Sequence, residues 1–136
     1  MYTKENVSNK EYSIHKMVSE KISDISTPKI YEYNESTKTL KMEEIPEMSI
    51  SDMYGDNPDD VPSYIFDEIR KIIIKLKENN INYPDITGYN FIECKDKIYI
   101  IDFGDANLIE DETTSFISPF VNDFINGLNQ WNPDFR

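Results

Sequence analysis

Apolar residues recur at helical spacing in two stretches of this chain, and shorter alternating runs lie between and after them. From Asn9 to Ile25, the residues Ile14, Met17, Val18, Ile22 and Ile25 fall on one stripe, which predicts an amphipathic helix closed by Pro28. "KIYEY" and "KTLKME", joined by the polar turn "NEST", predict two strands. "PEMSISDMYGDNPDD" mixes Pro, Gly and Asp and predicts a loop with at most one helical turn. The stripe Ile65, Phe66, Ile69, Ile72, Ile73 and Leu76 then predicts the clearest helix. Asp60 is its expected N-cap, Pro62 belongs to its first turn, and Asp67 and Lys71 form an outer pair four residues apart. "NFIE", "CKDK" and "IYIIDF" read as a β-hairpin, with Cys94 in the turn. "ANLIEDETTSF" reads as irregular, and "SPFVNDFING" as a short helix stopped by Gly127. Trp131 and Phe135 are expected to pack the tail onto the body of the protein. The class is α+β.

Composition narrows the picture. With 38% hydrophobic and 12% aromatic residues in 136, the chain suits one globular core and not two. No run approaches the roughly 20 apolar residues of a membrane span. The polar start "MYTKENVSNKEYS" lacks the apolar centre of a signal peptide, so the expected location is the cytoplasm. The single cysteine allows neither an internal disulfide nor a Cys-based zinc site. Twenty-six acids against 14 bases give a net charge of −12, a field that repels nucleic acid and anionic membranes and favours basic partners. His15, the only histidine, has no second ligand of its kind, and "DMYGDNPDD" does not follow the spacing of a calcium loop.

The candidate chemistry lies in "YPDITGYNFIECKDKIYIIDFGDA". Asp85 and Asn90 stand five apart in a loop between a helix and a strand, and Asp102 ends the next strand. A hairpin closes on itself, so Asn90 and Asp102 are expected side by side. A carboxylate and an amide oxygen, completed by phosphate oxygens and waters, form the kind of set that Mg2+ prefers. The alternative is that all three residues merely form turns around the hairpin.

"D-I-T-G-Y-N" followed by "I-D-F-G" resembles the catalytic and magnesium loops of the protein-kinase superfamily. The resemblance implies a truncated kinase-like fold, with residues 1–45 as a reduced N-lobe and hinge and residues 46–136 as a reduced C-lobe. It implies ATP and Mg2+ as cofactors, Asp85 as catalytic base, and Asn90 and Asp102 as metal ligands. "KMEEIPEMSI" then resembles the hinge, with Met42 guarding the pocket and the backbone of Glu43 and Ile45 receiving adenine. A helix glutamate in this fold pairs with a strand lysine that grips the phosphates. Glu11 shares the buried stripe with Ile14, Val18 and Ile22, whereas Glu20 projects from the opposite side, so Glu11 is chosen. Of Lys4 and Lys10, Lys4 could end a short strand and is the expected partner.

The chain also departs from the family pattern. Gly55, Gly88, Gly104 and Gly127 cannot be written as G-x-G, so the glycine loop over the phosphates is expected to be missing. Tyr83-Pro84 replaces the usual His-Arg, and no "A-P-E" follows "DFG". Thr87 stands where a lysine is usual, which is closer to RIO-like kinases and the kinase of the KEOPS tRNA-modification complex. "P-K-I-Y" and "Y-P-D-I-T-x-x-N-F" are similar to predicted kinases of large DNA viruses. Asp123 either braces the catalytic loop from below or is a surface acid.

Three functions remain open on the sequence. The first is an ATP- and Mg2+-dependent kinase acting on Ser/Thr of a protein substrate, a basic one by charge. The second is a catalytically weak or inactive kinase-fold protein that binds partners, a homodimer among the options. The third is a small-molecule kinase of the aminoglycoside or choline type. Direct nucleic-acid or membrane binding is not expected.

Overall fold

A computed structural model describes residues 1–109 and 118–135. Strand β1 (Tyr2–Lys4) precedes helix α1 (Asn9–Lys21), and β2 (Ile30–Asn34) and β3 (Thr39–Met42) complete a three-stranded antiparallel sheet in the order β1-β3-β2. Ser8 caps α1 by accepting from the Glu11 N–H at 3.1 Å, which places an acid in the first turn, where the helix dipole favours it. The helix stops four residues earlier than its apolar stripe. Ile22 leaves helical geometry, and the chain turns so that Ile25 still reaches the core while Ser26 bridges Tyr99 in parallel. Burial therefore continued the pattern after the hydrogen-bonded helix had ended.

The expected loop contains a short helix α2 (Ile50–Tyr54), capped by Ser49, and a 3-10 turn at Pro58–Asp60. Helix α3 (Ser63–Glu78) then buries all six residues of its predicted stripe. Asp60 is not its N-cap. It lies in the 3-10 turn, Pro62 occupies the cap position, and no side chain caps the helix. Asp67 pairs with Arg70 at 3.2 Å, and Lys71 with Glu68 at 2.9 Å, so the expected Asp67–Lys71 pair is replaced by two pairs at i,i+3. Asn80 at φ 63° turns the chain into β4 (Ile81–Asn82).

The hairpin pairs β5 (Phe91–Cys94) with β6 (Lys97–Ile100). Its two-residue turn, Lys95-Asp96, has φ values of 52° and 65°, as the tight turn favoured by strand twist requires. Cys94 is therefore the last strand residue and is buried, not part of the turn. Asn107–Leu108, expected to be irregular, forms strand β7 against β4 because a paired partner lies opposite. The remainder of that expected irregular stretch, 110–116, falls outside the described residues.

Helix α4 (Pro119–Ile125) is capped by Ser118, and Gly127 follows at φ 76°, a conformation that glycine adopts without strain. Trp131 packs on Phe66 at 4.6 Å, whereas Phe135 remains 38% exposed and does not pin the tail as expected. One apolar core joins α1, α3, the β5–β6 hairpin, α4 and Trp131, and a smaller cluster of Val7, Leu40 and Met42 sits beneath the three-stranded sheet. Among the described residues no helix is long and apolar enough to cross a membrane.

Candidate active site

The edge strand and the first helix meet the hairpin at one lysine. Lys4 Nζ lies 2.5 Å from Glu11 Oε2 and 3.1 Å from Asp102 Oδ1. Glu11 is only 6% exposed, so its carboxylate is a buried charge that Lys4 compensates. Burial alone would pull the Lys4 ammonium down, but the Glu11 hydrogen bond and both carboxylates outweigh it and leave its pKa raised. Lys4 is thus firmly cationic. Glu20 and Lys10, the other candidates, are exposed.

The loop from Tyr83 to Asn90 is fixed mainly through backbone groups. Asn90 Nδ2 donates to the Asp85 carbonyl at 2.8 Å, and the Asn90 carbonyl accepts from Ile101 N at 3.0 Å, which ties the loop to the strand leading into Asp102. The hairpin does bring Asn90 and Asp102 together. Asp102 Oδ1 also accepts from Gly104 N at 2.8 Å, which holds the carboxylate at the head of its turn. Tyr83, standing where the family has histidine, donates its hydroxyl to the Asp102 carbonyl. Its ring is buried edge-on against Phe91 and Phe103. His15 lies against Phe103 at 5.2 Å with Nε2 2.8 Å from the Pro28 carbonyl, and burial lowers its pKa. It is a neutral spacer between α1 and the hairpin.

Asp85 is half-buried beside two further carboxylates. Desolvation, followed by repulsion from Asp105 and Asp102, raises its pKa to about 6, against the opposing hydrogen bond from Asn90. Asp105 is close enough for its charge to raise the Asp85 pKa. It was not singled out in the sequence, although it directly follows "DFG". Asp123 is exposed on α4 and does not brace the loop. Asn132 does this instead, with Nδ2 donating to the Pro84 carbonyl at 2.8 Å and its N–H to the Ile86 carbonyl at 2.8 Å, one on each side of Asp85. Only a position after "W" in an unassigned tail marked it.

A cavity of about 310 Å³ opens between the sheet and the loop, lined by Tyr2, Lys4, Met42, Glu43, Ile45, Asn90 and Asp102 among others. Met42 sits at its back, 5% exposed. The Glu43 N–H is used by Lys29 O, and the Ile45 carbonyl by Glu47 N, each at 2.8 Å. Among the described residues, no backbone hydrogen bond uses the Glu43 carbonyl or the Ile45 N–H; the backbone of these two residues is where adenine is expected. Asp85 and Glu11 do not line this cavity.

The donor set suits a hard cation. Asn90 Oδ1 is left free by the bond its Nδ2 makes, and the Glu11 and Asp102 carboxylates share the one ammonium of Lys4. No cluster of three or more His, Cys, Asp or Glu positioned to hold a metal occurs among the described residues. An Asn–Asp pair with phosphate and water is the sparser set typical of Mg2+.

This arrangement of strand lysine, helix glutamate, the loop from Tyr83 to Asn90 and the aspartate after the hairpin is a protein-kinase-like fold. It aligns with the structure of the Cydia pomonella granulovirus kinase PK-1 at a TM-score of 0.60, with 14% identity, over 79% of this chain and 43% of that one. In sequence it is 30% identical over 96 residues to a probable bifunctional tRNA threonylcarbamoyladenosine biosynthesis protein of Methanosphaera stadtmanae, and 35% identical over 96 residues to its namesake in Methanocaldococcus jannaschii. These matches cover 68% of this chain but only 18% and 17% of the relatives, so the chain spans less than a fifth of their length. No family model matches.

Proposed function

We propose that this chain is an ATP- and Mg2+-dependent phosphotransferase acting on Ser/Thr hydroxyls of a protein. The observation that carries the reading is Lys4, which joins a buried helix glutamate to Asp102 beside a cavity that Lys4, Asp102, Glu43 and Ile45 all line. Lys4 would hold phosphate oxygens, and Asn90 and Asp102 would hold the cation. When bound, Mg·ATP supplies the transferable phosphoryl group and the charge that neutralises its oxygens. Asp85, held by Asn90 and Asn132, would orient the accepting hydroxyl and take its proton; a base with a pKa of about 6 is ionised at neutral pH yet still accepts a proton.

The relatives' names refer to tRNA modification. A net charge of −12 opposes direct tRNA contact by this chain, so a protein hydroxyl is the favoured acceptor. The test is thermal stabilisation by ATP in the presence and absence of Mg2+, followed by radiolabel transfer to a basic protein panel and to small alcohols. At 100-fold excess over Kd the expected stabilisation is about 2.7 kcal/mol, lost in Asp102→Ala. No shift at millimolar nucleotide would return the chain to the non-catalytic, partner-binding reading. Transfer only to small alcohols would move it to the aminoglycoside type.

A further inference from the structure

A second cavity, of about 160 Å³, lies beside the catalytic loop and is lined by Ser51, Asp56, Thr87, Gly88, Tyr89 and Trp131. Three of these residues, Thr87 to Tyr89, fall between Asp85 and Asn90, and Thr87 Oγ1 is 3.5 Å from Asp85 Oδ1. Tyr89 lines this cavity and the larger one, so the two share a wall. A group held here would therefore be a close neighbour of a hydroxyl presented to Asp85.

The lining is mainly apolar, with Tyr89 and Trp131 its two aromatic members. Apolar cavities of roughly 150 Å³ take a benzene-sized group. Trp131 is 4% exposed, and its indole N–H has no acceptor among the described residues, although such buried donors are normally satisfied.

Charge sets the rest of the surface. From Glu43 to Ile69 the sequence has nine acids and no Lys, Arg or His. Asp67 and Glu68 are paired by α3 bases, whereas Glu43, Glu44, Glu47, Asp52, Asp56, Asp59 and Asp60 form no ion pair among the described residues. Asp56 stands in the cavity wall and accepts from the Tyr89 hydroxyl. Met48, Met53 and Tyr89 are 54%, 39% and 49% exposed among these acids, an uncommon mixture of apolar and anionic surface.

We infer that this cavity is an acceptor-side subsite for a basic polypeptide. An apolar side chain next to the accepting Ser/Thr fills it, and flanking Lys or Arg residues face Asp56 and Asp52. The inference rests on the phosphotransferase reading for the order of the groups, but the binding surface itself does not require turnover. Opposite charges steer the segment and the cavity fixes its register, a division of labour common in recognition.

The test uses the full chain and fluorescent peptides with Ala in place of the acceptor, read by anisotropy. One peptide is Lys/Arg-rich with Leu beside the Ala, one replaces that Leu by Gly, and one replaces the bases by Glu. The Leu peptide is expected to bind at least tenfold more tightly than the Gly peptide. It should also outbind the Glu peptide, by a margin that shrinks as salt rises. Asp56→Asn, at an exposed residue of the cavity wall, should narrow the basic-over-acidic margin while sparing the Leu-over-Gly preference. Equal binding of the three peptides, or tighter binding of a short RNA than of any peptide, would overturn the subsite. The same peptides carrying Ser are then assayed with Mg·ATP. The binding order without any transfer would retain the subsite and remove the phosphotransferase reading; transfer without the binding order would do the reverse.

Discussion

Asp85 is the residue at which activity and stability should oppose each other. Its folded-state pKa of about 6 lies above the ordinary 3.8 because of desolvation first and the Asp105 and Asp102 carboxylates next. Below pH 3.8 the side chain is protonated in both folded and unfolded chains and has no effect on the balance. Between 3.8 and 6 the unfolded chain ionises first, so folding loses stability as pH rises. Above 6 the penalty is complete. The difference of about 2 units corresponds to a ceiling of about 3 kcal/mol. Asp85 is half-exposed to solvent, so screening reduces the expected penalty to about 1 kcal/mol.

Asp85→Asn keeps the shape and removes the charge. Urea denaturation in EDTA at pH 7 should therefore find the variant more stable than the natural chain by about 1 kcal/mol, or about 4 °C in Tm. At pH 4 most of the gain should vanish. Millimolar Mg2+ should narrow the gap at pH 7, because a cation held by Asn90 and Asp102 would offset the repulsion that Asp102 exerts on Asp85. Transfer activity should fall by two to four orders of magnitude, on the order of 10²–10⁴-fold. A variant that is no more stable at pH 7, or equally favoured at pH 4, would refute the electrostatic account of the site.

Other perturbations test the scaffold. Lys4→Met leaves Glu11 buried without its cation and should cost about 2 kcal/mol in chemical denaturation while abolishing nucleotide-induced stabilisation; unchanged stability would mean that Glu11 does not depend on Lys4. Asn132→Ala removes the donor to Pro84 O and should cost about 1 kcal/mol in stability, yet lower kcat more than tenfold with the ATP-induced shift intact. A parallel loss of nucleotide binding would point to general unfolding instead. Gly88→Ala would place a Cβ 3.1 Å from the Ser51 backbone N, where the Gly88 carbonyl already accepts from that N–H. The variant should unfold at lower urea by about 1–3 kcal/mol, and an unchanged midpoint would refute the close approach.

How much of this was legible in the sequence depended on whether a feature is periodic or long-range. The α3 stripe and the hairpin follow from spacing, and both occur where expected. The Asn90–Asp102 approach follows from the hairpin alone, and the burial of Glu11 from its place on a helical face. The end of α1 was misjudged because apolar spacing records burial, and Ile25 is buried without being helical. Asp60 has the chemistry of an N-cap, but Pro58 began a 3-10 turn that used its segment first. The placing of Asn132 under Pro84 joins residues 48 apart, and nothing local in "WNPDFR" encodes that distance. The carboxylate of Asp105 is visible in "DFGD", yet its reach to Asp85 depends on the turn that follows Asp102.

The loop carrying Asp85 is seated in the core by Tyr83 and Ile86 and oriented by separate small contacts. Tyr83 reaches to Asp102 O, Asn132 to Pro84 O and Ile86 O, Ser51 N to Gly88 O, and Asn90 to Asp85 O. Each such bond contributes on the order of 1 kcal/mol, so the fold should survive the loss of any one. Orientation is less forgiving, because a catalytic group displaced by about 1 Å can cost on the order of 10²-fold in rate. Four anchors on one eight-residue loop therefore make sense as positioning more than as stabilisation. The Asn132 variant separates the two, since a brace acting only on stability would lower kcat no further than the fraction of folded protein.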